Sequence, residues 1–174
     1  MIGLSNLDTI RASTFVSQQL QTSSDTFSVP VIGGHSGSTI IPLFSQLNHH
    51  ALARLDVPYL TNKVQFAGDE VVKVKEGQGS ATLAMAYAAA SFTNSVLRGM
   101  DGEKNIVEPA FIEQDVKGVQ FFASLVELGM YGIEKPIPIP MKLTSFEKGL
   151  LEKALVTLKD EAQKGIDFVD KEMM

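Results

Sequence analysis

Three strand-like runs, residues 105–112, 121–128 and 131–139, follow one another with no helical pattern among them. That grouping constrains the fold more than any other feature. A parallel doubly wound sheet needs a crossover helix between successive strands, hence strict βαβ alternation. Here the helical patterns lie before and after the strands. Gly129, Met130 and Tyr131 supply a hairpin turn between the last two runs, and the prolines of the third mark it as an edge strand. The order reads as α+β, with helices packed on a small, mainly antiparallel sheet and no Rossmann domain in this chain.

The clearest helix is the last. Thr144-Ser145-Phe146-Glu147 has capping-box spacing, and Phe146, Leu150, Leu151, Leu155, Leu158, Ala162 and Ile166 recur at three- and four-residue steps. A helix with Pro58 in its first turn carries a stripe of Leu60, Val64, Ala67, Val71 and Val72. An Ala-rich helix follows, with Ser80 as its expected cap and little bulk to hold neighbours away on several sides. The chain opens as the end of a strand over Met1 and Ile2 running into a helix that Asn6 or Asp8 would cap, bearing Leu7, Ile10, Thr14 and Phe15. Residues 21–26 read as a turn. Two short apolar runs, 29–32 and 39–43, flank Gly33-Gly34-His35-Ser36-Gly37, where three glycines in five residues demand a sharp turn or a close approach.

Composition narrows the function. A net charge of −5 without a basic block argues against nucleic-acid binding. No apolar stretch approaches the ~20 residues needed to span a bilayer. With no cysteine there is neither a disulfide nor a thiolate metal site. No His/acid pair at metal-ligand spacing supports His49 and His50, so no metal is expected.

Asp8, Arg11 and His35 stand out. Asp8 and Arg11 are three apart on a predicted helix and share a face. An Asp that holds a His makes a general acid/base pair, and an Arg nearby offers a planar fork to a carboxylate. Spacing alone leaves a plainer alternative open: Asp8 as a helix cap paired with Arg11 at the surface, and His35 as a turn residue.

Longer motifs decide between them. Leu7-Asp8-Thr9-Ile10-Arg11 with Thr14-Phe15-Val16 resembles the catalytic helix of NAD-dependent malate dehydrogenases of the mitochondrial and bacterial branch. Val29-Pro30-Val31-Ile32-Gly33-Gly34-His35-Ser36-Gly37 resembles their catalytic His segment. Gly77-Gln78-Gly79-Ser80-Ala81-Thr82 resembles the start of their substrate-proximal helix, and Ser145-Phe146-Glu147 with Gly165-Ile166-Asp167-Phe168-Val169 their final helix. These motifs occur in the family's order over nearly the whole chain.

The resemblance implies His35 as the proton acceptor and donor, Asp8 as its holder and Arg11 on the C1 carboxylate. It places Ser80 and Ala81 in the substrate pocket and Met85 near the nicotinamide ring, although Met85 reads nearly as well as a core residue. It implies a single C-terminal catalytic domain over residues 1–174, without the nucleotide-binding domain that binds most of the NAD and supplies the arginines for the second carboxylate. It also implies L-malate and oxaloacetate as substrates, an isolated chain without activity and a homodimeric parent. The compartment implied is the mitochondrial matrix or another organelle in a eukaryote, or the cytoplasm of a bacterium. The alternative is an autonomously folding dimerisation or interaction module. Two motifs are set aside. Gly77-x-Gly79-x-x-Thr82 follows a charged helix end rather than a strand, unlike a dinucleotide fingerprint. Gly34-His35-Ser36-Gly37-Ser38 has Ser where a nucleophile elbow requires Gly.

Overall fold

The computed structural model describes residues 3–23 and 26–172. Its elements are α1 (Leu4–Leu20), β1 (Val31–Gly33), β2 (Ile40–Pro42), α2 (His49–Leu52), α3 (Val57–Val74), α4 (Thr82–Met100), β3 (Ile106–Val116), β4 (Val119–Gly129), β5 (Gly132–Pro136) and α5 (Ser145–Glu172). The strands form one sheet in which every pairing is antiparallel, so the grouped strands do what their order requires. β4 is central. β3 runs along it, β5 pairs with its end from Val126 to Gly129, and β1 meets it at Gly33↔Ala123 and carries β2 beyond.

The apolar run at residues 29–32 is buried on both faces, which explains its lack of polar alternation. Val31 and Ile40 enter a core with Ala12, Val16, Leu60 and Val64 of α1 and α3. Ile32 and Ile41 point the other way, into a core with Phe122 of β4 and Leu151 and Leu158 of α5. A third cluster joins Phe92 of α4 to Ala110 and Val126 of the sheet. The capping box closes as expected: Glu147 N–H donates to Thr144 Oγ1 at 3.2 Å, and Thr144 N–H to Glu147 Oε2 at 2.8 Å. The other carboxylate oxygen accepts from Ser45 N–H at 2.9 Å, which ties α5 to the segment after β2.

Three expectations change, and two fall partly or wholly outside the described residues. α1 begins at Leu4 after Gly3, so Asn6 and Asp8 lie inside the helix rather than capping it. Asn6 finds its partner on another element, donating to Glu108 Oε2 of β3 at 2.6 Å. The strand end expected at Met1 and Ile2 lies outside the described residues, as do Ser24 and Asp25 of the expected turn. Ser80 does not cap α4; Ala81 precedes the helix and caps it with no side-chain bond. α4 is not enclosed on several sides, since only Ala88, Phe92, Ser95 and Gly99 are buried along it. At Gly99 a Cβ would stand 3.1 Å from the Gly129 carbonyl oxygen, so glycine allows helix and strand to touch there.

Candidate active site

Asp8 sits in the second turn of α1 and is completely buried. A buried carboxylate must find donors. Its Oδ2 meets His35 Nδ1 at 2.5 Å and its Oδ1 meets Arg11 Nη1 at 3.3 Å. A carboxylate only accepts, so Nδ1 carries the proton and Nε2 of the neutral ring is left as the basic nitrogen. The Arg11 side chain is 13% exposed and that of His35 32%, so both are anchored at depth and open to solvent at their tips.

Two glycines deliver His35 from β1. Gly33 has φ +103°, and a Cβ on it would stand 2.2 Å from the Thr39 carbonyl oxygen. A Cβ on Gly34 would stand 2.5 Å from Thr39 Oγ1 and 2.7 Å from Leu158 of α5. The glycines therefore let the turn fold tightly between β2 and α5. The segment runs from strand through a 3-10 turn into strand, which is no nucleophile elbow. The Gly77 and Gly79 motif follows α3, not a strand, which is no dinucleotide fold.

A cleft of about 640 Å³ opens over this constellation. Arg11, His35, Ser80, Ala81 and Met85 all line it, and Asp8 lies beneath, so residues scattered over 78 positions converge on one site. Leu4 and Leu7 give it an apolar border. Sequence reasoning missed Gln65, Gly68, Asp69 and Val72 of α3. The apolar stripe of α3 predicts Val72 in the core, but burial on α3 ends at Ala67, and the exposed Val72 faces the cleft instead. Gly68 stands beside Arg11 on that wall, where a Cβ would make ordinary contact with both terminal guanidinium nitrogens at 4.0 Å. Among the described residues no group of three or more His, Cys, Asp or Glu is arranged to hold a metal ion. Nor is any helix long and apolar enough to cross a membrane.

Comparison with known proteins gives the family and the fold. Residues 5–169 match the family model described as lactate/malate dehydrogenase, alpha/beta C-terminal domain. The mitochondrial malate dehydrogenase of Saccharomyces cerevisiae is 48% identical over 172 residues, covering 97% of this chain and 51% of that protein. The malate dehydrogenase of Aeromonas salmonicida is 43% identical over 169 residues, covering 97% of this chain and 54% of the relative. The solved structure of the Plasmodium falciparum malate dehydrogenase in complex with NADH superposes with a TM-score of 0.68 at 21% identity, over 96% of this chain and 56% of that one. The chain spans about half the length of the relatives it matches. The match over residues 5–169 shows the family: the chain belongs to the lactate/malate dehydrogenase family and carries its alpha/beta C-terminal domain.

Proposed function

We propose that this chain is the catalytic and substrate-binding half of an NAD-dependent malate dehydrogenase, which interconverts L-malate and oxaloacetate. The observation that carries the reading is the buried Asp8 bonded to His35 at 2.5 Å, on the wall of a cleft that Arg11 also lines. His35 Nε2 takes the proton of the C2 hydroxyl as malate is oxidised and returns it in the reverse reaction. Asp8 fixes the tautomer that leaves Nε2 free, and stabilises the imidazolium once the proton has arrived. Arg11 binds the C1 carboxylate, with its charge held in place by Asp8 and its fork open to the cleft. Ser80 and Ala81 line the substrate end.

The lining also fits a nicotinamide ring, because Leu4, Leu7 and Met85 put apolar surface in the same cleft as His35. When bound, NAD(H) supplies or accepts the hydride. The rest of the cofactor, and the cations for the second carboxylate, fall to a nucleotide-binding half like the one in the full-length relatives. That half completes the active enzyme, which works inside the cell as a homodimer. Tyr59, Phe66 and Val74 of α3 and Tyr87 of α4 leave exposed apolar surface for such packing.

The test is turnover. The full-length protein reduces oxaloacetate with NADH and strongly prefers it to pyruvate, and the 174-residue chain alone does not. Robust turnover by the isolated chain, or a preference for pyruvate, contradicts the proposal.

A further inference from the structure

His35 has a well-placed partner for its ring, but its main chain also needs an anchor. The imidazole is one-third exposed and is bonded to an aspartate 27 positions earlier in the sequence. A 2.5 Å contact across that distance holds its aim only if the backbone beneath the ring is fixed. We infer that Thr39 is the positioning residue that fixes it.

Thr39 is fully buried and holds the residues on both sides of His35. Gly34 N–H donates to the Thr39 carbonyl oxygen at 2.9 Å. Ser36 N–H donates to Thr39 Oγ1 at 3.1 Å, and that hydroxyl donates to the Ser36 carbonyl oxygen at 2.8 Å. Thr39 N–H reaches the same carbonyl at 2.9 Å. One side chain thus satisfies the main chain after His35 while its own carbonyl satisfies the main chain before it. Thr39 is anchored in turn from α3, where Gln65 Nε2 donates to the Ile40 carbonyl oxygen at 3.0 Å and, more weakly, to that of Ser38 at 3.5 Å. The hydroxyl touches neither the ring nor the open cleft; it acts through the backbone of residue 35.

This inference rests on the acid/base reading of His35 for its functional meaning, but its geometry is tested separately. Only three histidines are present and His49 and His50 are exposed, so the His35 ring resonances of the 174-residue chain are assigned by a single His35→Gln control. In the wild-type chain the Ser36 amide, on an exposed residue, is protected from hydrogen exchange; an unprotected amide overturns the inference. Thr39→Val keeps shape and removes the hydroxyl. It speeds Ser36 amide exchange roughly fivefold to tenfold, the loss expected for one hydrogen bond, and speeds exchange of the His35 Nδ1 proton with solvent. Thr39→Ser restores both signals. An unchanged Nδ1 proton in Thr39→Val, or its equal loss in Thr39→Ser, overturns the inference.

Should Thr39→Val not fold, Gln65→Met replaces it, and unchanged Ser36 and His35 signals there count against the anchor. In the full-length enzyme Thr39→Val lowers kcat by up to about a hundredfold with KM for NADH unchanged, and Thr39→Ser recovers it. If His35→Gln leaves turnover intact, the acid/base reading fails, while the exchange data still decide the role of Thr39.

Discussion

Replacing Asp8 by Asn changes one atom and tests the tautomer argument at its source. In the native chain both carboxylate oxygens accept, one from His35 and one from Arg11, and burial leaves no room for water to substitute. An amide has one acceptor and one donor end. Arg11 has only donors to offer, so the amide oxygen turns toward the guanidinium and the NH₂ toward His35. Nδ1 must then accept, and the ring proton moves to Nε2, the atom that has to be free to take the substrate proton. The His35 bond falls from a charge-assisted one of about 1.5–3 kcal/mol to a neutral one of about 0.5–1.5 kcal/mol, while the Arg11 bond keeps its charged donor, a loss of about 1 kcal/mol in stability. The catalytic loss is larger, about 10²–10⁴-fold in kcat, the usual contribution of general acid–base catalysis. Three measurements check this: long-range ¹⁵N spectra of the chain for the tautomer, urea denaturation for stability, and steady-state turnover of the full-length enzyme. Retention of the Nδ1–H tautomer with unchanged turnover would show that Asp8 does not set the His35 tautomer.

Other outcomes follow from the same structure. Glu147→Ala removes a buried carboxylate that serves Thr144 and Ser45, and lowers the urea-unfolding free energy by about 2–4 kcal/mol; a loss under 0.5 kcal/mol contradicts the bridging role. Phe92→Ala empties the cluster between α4 and the sheet and costs about 3–5 kcal/mol by the same assay. Arg98 bonds Glu103 and holds its carboxyl below the ordinary range. Its contribution is therefore complete above that range and lost as the pH falls through the lowered value. Glu103→Gln removes this acid-side slope from a stability–pH profile, and an unchanged slope contradicts the assignment.

Much of the fold is legible in the residues because local and global preferences agree. α5 runs from its capping box through Glu172 despite Gly165, and the hairpin at residues 129–132 forms where its turn residues stand. The Lys117-Gly118 turn and the outer ends of β3 and β4 were not legible. Those ends carry polar residues such as Gln114, which bonds Ser124 across the strands and leaves no apolar pattern to read. The same limit applied at the start of α1. Asn6 and Asp8 are cap-type residues by local chemistry, yet their partners, Glu108 and His35, lie 102 and 27 positions away and hold them inside the helix. In the site, the glycines around His35 and the Asp8/Arg11 spacing singled those residues out and only the resemblance of the longer motifs favoured the acid/base reading, while Gln65 and Asp69 gave no signal. They lie on a helix with an ordinary amphipathic pattern, and only packing turns their side of it toward the cleft.

The acid/base role of His35 is the step on which the proposed reaction depends. In the full-length enzyme, turnover of His35→Gln with oxaloacetate and NADH is measured beside the affinity for NADH. The expected result is a fall of about 10²–10⁴-fold in kcat with NADH affinity nearly intact, because the ring moves a proton and does not carry the cofactor. A His35→Gln enzyme that turns over at the wild-type rate contradicts it.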